Sequence, residues 1–268
     1  MSNERKEKTF TVVTALFDIG RSTWGDVYRR DTRLYMYYLS FILKMNCNIC
    51  IFVEEKFVDF VRESRKGMES KTKIYTVPIS SLLMNGYKEK ISTIMSSEEY
   101  KANQKDPLCP EVKRPEYNIV VNSKVDLVYR VAMENPFTTD FFLWMDAGYG
   151  HGTLNIPKGF KFYPESFMKE GKVSILCLKD VSLISPDYKT FYEEHIDVVN
   201  GGFFCCDRES IVRYKEIYYY VVEDSLDKGI TDDDQYTVSM SYTKDNSLFS
   251  VFYNRDWYGA FDQFHKEG

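Results

Sequence analysis

The sequence predicts an α/β fold, a sheet that begins parallel with helices packed over it, and three observations predict it. Through Pro78, short runs rich in β-branched and aromatic residues alternate with stretches of helical periodicity. A continuous apolar run, Phe141 to Met145, is too short for a useful helix and reads as a central strand buried on both faces. The 268 residues, 44% of them hydrophobic, suffice for one large domain with a sizeable core.

Taken in order, Phe10 to Phe17 is the first strand, closed by a turn over Asp18 to Ser22 that Gly20 makes tight. Arg30 to Met45 places Leu34, Tyr38, Phe41, Ile42 and Met45 on one helical face. Ile49 to Val53 is a second strand, Glu54 to Arg65 a charged helix, and Lys73 to Val77 a third strand stopped by Pro78. This βαβαβ order opens a parallel sheet with crossover helices. Ser80 to Pro115 is polar and rich in Lys and Glu, and reads as a helical insertion followed by a loop through Pro107, Pro110 and Pro115. Glu116 to Glu134 is one strong helix, ended by Asn135-Pro136 ahead of the buried strand. Asn155 to Lys172 is a loop and Val173 to Leu178 a strand. Asp197 to Cys206 is a strand interrupted by Gly201 and Gly202, where paired glycines signal a bulge or a close approach of backbone to ligand. Arg208 to Asp227 is a long helix, Thr231 opens a capped one, and Leu248 to Tyr253 is the last strand. No repeat or low-complexity linker divides the chain. Residues 1–268 are expected to form a single domain, with 80–115 as its insertion.

Composition narrows the function. A net charge of -5, from 35 basic and 40 acidic residues, argues against a general nucleic-acid binder. No window approaches the apolar length of a membrane span, and the charged start MSNERKEKTF runs into a strand pattern rather than a signal peptide. A cytoplasmic location is the expectation. The CxxC of Cys47 and Cys50 has no second pair and no His pair to complete a zinc set, so the 6 cysteines are expected to be free, mostly buried thiols. Adjacent Cys205 and Cys206 point to opposite faces of their strand. Aromatics reach 16%, a surplus that suits sugar-stacking walls and equally fills a core. The chain has no GxxxxGK[ST] loop, no GxGxxG after its first strand and no GxSxG elbow.

Three places offer chemistry. Asp146 ends the buried strand and is followed by Ala147 and Gly148, and the carboxyl end of such a strand is where α/β sheets bind ligands. The alternative is that it caps the next turn. Lys124 breaks the apolar stripe Tyr117, Val121, Val128 and Val131. A buried Lys needs a partner, so it either snorkels or aims its ammonium at an anion near the Asp146 strand, a phosphate or Asp146 itself. Asn122 and Ser123 add polar groups beside it. TDDDQ, Thr231 to Gln235, fits a Thr N-cap with acids in the first turn, and its surplus acids offer a general base or a ligand for a metal–diphosphate complex. His151, His195 and His265 make no metal pair by spacing.

Together, TVVTALFDIGR, NSK (Asn122 to Lys124), NPF (Asn135 to Phe137), WMDAG (Trp144 to Gly148), NGGFF (Asn200 to Phe204) and DDQ (Asp233 to Gln235) resemble the HtrL/YibB family, in order over most of the chain. That family is associated with surface-glycan biosynthesis and looks like a GT-A glycosyltransferase. The resemblance implies a GT-A-like, Rossmann-like, mixed and mostly parallel sheet flanked by helices. It implies a nucleotide-diphosphate sugar as donor, a UDP-sugar by preference, and a glycan or other hydroxyl acceptor. Asp18 and Arg21 would then lie where such enzymes contact the nucleotide, with Lys124 and Asn122 beside the diphosphate. Asn200, Gly201 and Gly202 would flank the donor sugar, and Asp233 and Asp234 would face the acceptor, Asp234 being the narrower choice of base. Asp146 would carry the metal-motif carboxylate for Mn2+ or Mg2+, helped by His265. Asp-Ala-Gly departs from the two-acid motif, which loosens the metal expectation. It also keeps open a catalytically silent carbohydrate- or nucleotide-binding protein on the same fold. A methyltransferase is a further rival, weakened by the missing Gly-rich first turn.

Overall fold

The computed structural model describes residues 7–24, 31–104, 106–152, 161–263 and 265–267. Nine strands are assigned among them: β1 (Phe10–Leu16), β2 (Asn48–Val53), β3 (Thr72–Thr76), β4 (Phe141–Met145), β5 (Lys161–Tyr163), β6 (Val173–Cys177), β7 (Val199–Asp207), β8 (Phe249–Tyr253) and β9 (His265–Glu267). Seven form one sheet in the order β3-β2-β1-β4-β7-β6-β8, while β5 and β9 pair antiparallel on their own. β1 pairs in parallel with β2 and β4, β2 with β3, and β6 with β8. β7 alone runs against its neighbours, β4 and β6. The sheet is therefore mixed and mostly parallel. Reversal of β7 has a consequence for the site: its first residues reach the same sheet edge as the end of β4. There the Asp146 N–H donates to the Gly202 carbonyl at 3.0 Å.

Strand alternation divides the core into two layers. Val12, Phe141, Leu143, Met145 and Cys205 face one way, toward α1 (Thr32–Leu43) and α2 (Val58–Ser64). Val13, Phe142, Trp144 and Cys206 face the other way. That second layer packs under α3 (Lys88–Ser96), α6 (Pro115–Asn122), α7 (Lys124–Glu134), α9 (Arg208–Asp227) and α10 (Asp234–Lys244). The opposed pointing of Cys205 and Cys206 is as expected, and none of the six cysteines forms a disulfide. α4 (Glu98–Ala102) and α5 (Pro110–Lys113) lie between α3 and α6, and α8 (Tyr188–Glu194) precedes β7. No helix among the described residues is long and apolar enough to cross a membrane.

Three local expectations are corrected. The single helix over Glu116 to Glu134 is two, α6 and α7, meeting at Ser123, whose hydroxyl donates to the Ile119 carbonyl at 2.7 Å. The charged helix from Glu54 begins with a 3-10 turn, and its final Arg65 is buried, donating to the carbonyls of Leu43, Met45, Cys47 and Lys71. Thr231 is not the cap of α10. It is buried, its hydroxyl accepting from Asn118, while Asp233 caps the helix by accepting from Gln235 N at 2.9 Å. The end of α7 is as expected, with Asn135 in the left-handed region at φ 43° and its N–H on the Val131 carbonyl.

Candidate active site

A cleft of about 410 Å3 opens at the carboxyl ends of β1 and β4. Its floor is Lys124, the first residue of α7 and only 5% exposed. The ammonium lies 2.6 Å from Asp234 Oδ2 and 2.9 Å from Asp146 Oδ1, and it donates to the Gly201 carbonyl at 2.9 Å. Its three protons thus have three acceptors, drawn from α10, the end of β4 and β7. Asp146 Oδ1 also accepts from the Trp144 indole N–H at 2.7 Å. Burial alone would lower the Lys124 pKa, but Asp146 and Asp234 outweigh it and hold the ammonium above its ordinary value.

The three acids around the start of α10 are held in the uncharged direction. Burial pushes Asp234 up to about 6, against the pull of Lys124 and with the help of the Asp146 charge. Burial, with Glu111, Asp197 and Asp234 nearby, pushes Asp232 up to about 7. Asp233 is also raised well above the carboxylate range, by burial and then by its two Asp neighbours. The start of α10 is tied to β7 by Gln235 Nε2, which donates to the Val199 carbonyl at 2.9 Å. The paired glycines make this contact possible. A Cβ at Gly201 would stand 2.5 Å from Asp234 Oδ2, and one at Gly202 would stand 2.9 Å from the Tyr149 ring. The close approach expected at these residues is therefore to a carboxylate and a ring of the protein itself, although both glycines also line the cleft.

Rings dominate the remaining walls. Arg21, on the 3-10 turn after β1, is centred 4.8, 4.6 and 5.3 Å from the rings of Trp24, Tyr35 and Tyr117. Among the described residues it has no carboxylate partner. His151 stacks on Tyr38 at 4.8 Å and lies 5.2 Å from Tyr258. Trp257 and Tyr258, beyond β8, close the far side.

The pattern of the HtrL_YibB family, described as bacterial protein of unknown function, matches residues 8–266. The chain belongs to the HtrL_YibB family. It is 26% identical to Protein HtrL of Escherichia coli (strain K12), over 94% of this chain and 90% of that protein. Among solved structures it is similar to mouse xyloside xylosyltransferase 1, at 12% identity and a TM-score of 0.45, covering 92% of this chain and 85% of that one. It is also similar to the inositol-1-phosphate CTP transferase of T. maritima, at 12% identity and a TM-score of 0.39, over 92% and 85% of the two chains. At such scores these are distant likenesses.

Of the residues singled out in this family member, Arg21, Lys124, Asp146, Gly201, Gly202, Asp233 and Asp234 come together at the cleft. The other named residues do not line it. Asn122 is buried beneath, donating to the Asn118 and Asp232 carbonyls and accepting from Tyr218 and Thr237. Asn200 accepts from Gly202 N at 2.8 Å and donates to the Trp257 carbonyl, so it shapes the wall from behind. Asp18 pairs with Lys56 at 2.8 Å, which holds its pKa below the usual value. His265 belongs to β9 by its backbone, and its side chain lies outside the described residues. Tyr35, Tyr117, Trp144, Trp257 and Tyr258 line the cleft too, and the sequence did not single them out as site residues, since an aromatic in a pattern reads as core. Their one signal was the aromatic surplus itself. Among the described residues, no group of three or more His, Cys, Asp or Glu is gathered for a metal ion.

Proposed function

We propose that the protein is a glycosyltransferase that moves a sugar from a nucleotide-diphosphate sugar, a UDP-sugar by preference, to a hydroxyl of a glycan acceptor. The observation that carries this reading is one buried ammonium, Lys124, holding carboxylates from two different elements at the floor of a strand-end cleft. Ring-caged Arg21 stands on the same cleft wall. The cleft offers both halves of the chemistry: positive charge where a diphosphate leaves, and a carboxylate of raised pKa where a hydroxyl loses its proton. The resemblance of NGGFF and DDQ to glycosyltransferase segments supports it further.

In this reading the donor lies across the strand ends with its diphosphate toward Arg21. Arg21 meets phosphate oxygens directly, while Lys124, its protons already taken, acts through its field. The acceptor oxygen bonds to the anomeric carbon as the bond from that carbon to the β-phosphate oxygen breaks. The diphosphate leaves with the electron pair, the hydroxyl proton passes to Asp234, and the anomeric configuration inverts. Asp233 is occupied as a cap, so Asp234 is the base.

The expected Mn2+ or Mg2+ is a poor fit to these side chains. Both oxygens of Asp146 face the Lys124 ammonium, at 2.9 and 3.2 Å, so a positive charge already occupies the position beside them. Where a second acid of the metal motif would stand, the chain has Gly148, which brings no carboxylate. No step is therefore routed through a metal.

The test is a thermal-shift and calorimetry panel of UDP, GDP, CMP and S-adenosylmethionine, each with Mn2+ and with EDTA, followed by a donor-consumption assay. A nucleoside diphosphate should stabilise the protein by about 2.7 kcal/mol at a hundredfold excess over Kd, and equally in EDTA. Arg21→Gln should weaken the diphosphate far more than the nucleoside. A response to S-adenosylmethionine alone would reject the reading. Donor binding without any transfer or hydrolysis would make the protein a silent binder.

A further inference from the structure

Trp257 has no role in the chemistry above, and its situation is unusual for a tryptophan. Of the three in the chain, Trp24 and Trp144 are buried, whereas Trp257 is 37% exposed. Its ring stands on the wall of the cleft, and the exposed part of it is open to a ligand there. Among the described residues the indole has no ring partner, yet its backbone is fixed, because the Trp257 carbonyl accepts from the buried amide of Asn200 on β7. Tyr258, the next residue, is set edge-on to the buried Tyr149 ring at 5.4 Å. The indole is thus free while the chain that carries it is not.

Strand order says which part of a ligand it meets. Arg21 follows β1 and Trp257 follows β8, and these strands lie on opposite sides of β4 and β7, which carry Asp146 and Gly201. A diphosphate drawn to Arg21 leaves the far side, toward Trp257, for the second substrate. We infer that Trp257 is the stacking platform for the acceptor sugar, the apolar C–H face of a pyranose lying on the indole. The word acceptor rests on the transferase reading; the sugar site itself does not.

The test uses the full chain and a panel of methyl glycosides (gluco, galacto, manno, xylo and N-acetylglucosamine), with and without saturating UDP. Binding is followed by saturation-transfer NMR and by tryptophan emission. At least one glycoside should bind the wild type and shift its emission to shorter wavelength. Trp257→Ala should weaken it by about tenfold, Trp257→Phe by less, with melting temperature and UDP affinity unchanged in both. If no glycoside binds, or if Trp257→Ala binds it as the wild type does, the platform is wrong even where UDP binds normally. A loss of UDP affinity in Trp257→Ala would assign the indole to the donor and equally overturn the inference. Should UDP fail to bind while a glycoside still depends on Trp257, the sugar site stands and the transferase reading falls.

Discussion

Gly201→Ala is the perturbation whose outcome follows most directly from the geometry. The added methyl would meet Asp234 Oδ2 at 2.5 Å and its Cγ and Oδ1 at 2.8 Å. Ordinary contact begins at 3.4 Å, so relief requires a movement of about 0.9 Å. The backbone of β7 is poorly placed to supply it, because the Gly201 carbonyl takes a proton from Lys124 and the Gly202 carbonyl one from Asp146 N. Asp234 is no freer, since Lys124 holds it at 2.6 Å. The movement must therefore stretch the buried ion pair or bend the strand. Overpacking of a core costs about 1–3 kcal/mol, and a broken buried ion pair about 3–5, so about 3 kcal/mol is the expected loss. For a chain of this size that lowers Tm by about 6–12 °C. Scanning calorimetry of Gly201→Ala is best set against Gly86→Ala, where a Cβ meets nothing within 4 Å. If the two variants melt within about a degree of each other, the close approach of Asp234 to β7 is not what this geometry describes.

The remaining expectations separate frame from chemistry. Asp233→Ala should cost about 1 kcal/mol of stability by removing the cap of α10. Asp234→Asn should lower transfer on the order of a hundredfold or more while donor affinity survives, and equal transfer by Asp234→Asn and wild type would exclude it as base. With Asp234 pushed up to about 6, the rate should rise with pH through that value as the carboxyl loses its proton. Lys124 opposes the rise in Asp234 pKa, so in Lys124→Met the same limb should move to higher pH, and an unmoved limb would sever the link between them. The raised Asp234 pKa also means that its contribution to stability is present at low pH and is lost as pH climbs from the ordinary carboxylate range through about 6. Asn122→Ala strips hydrogen bonds from Tyr218 and Thr237 and should cost about 2–4 kcal/mol with nucleotide affinity retained by the folded fraction.

What the sequence reveals and what it hides follows from the range of each interaction. The end of β4 is visible because burial on both faces writes a continuous apolar run, and Asp146 is the first polar residue after it. Lys124 is visible as a violation, an ammonium in an apolar stripe. Its partner is not visible, because Asp234 is 110 residues away and reaches it only through the reversal of β7. No local pattern announces that reversal: a strand buried on both sides reads the same in either direction. The cap of α10 is hidden for a similar reason. Thr231 is a sound N-cap by type, but its hydroxyl is already taken by Asn118 of α6, which leaves Asp233 to serve the helix.

The same logic explains why Asn122 and Asn200 signal chemistry in the sequence and yet stand behind the cleft. A polar residue among apolar neighbours announces that its hydrogen bonds are satisfied somewhere, without saying by whom. Asn122 meets both ends of its amide within the protein, joining α6 to α9, to α10 and to the Asp232 carbonyl. That leaves none of its capacity for a ligand. Trp144 and Asp146, by contrast, are two residues apart on one face of β4 and keep part of their surface in the cleft. The Asn122 network fixes where α10 begins. The start of α10 fixes Asp234 against Gly201, and Asp234 with Asp146 fixes Lys124. Position therefore passes from a buried, chemically silent amide to the charged groups that would act. Substitutions at Asn122 should consequently alter the Asp234 pH limb together with stability, whereas a residue that only contacted substrate would change binding and leave melting alone.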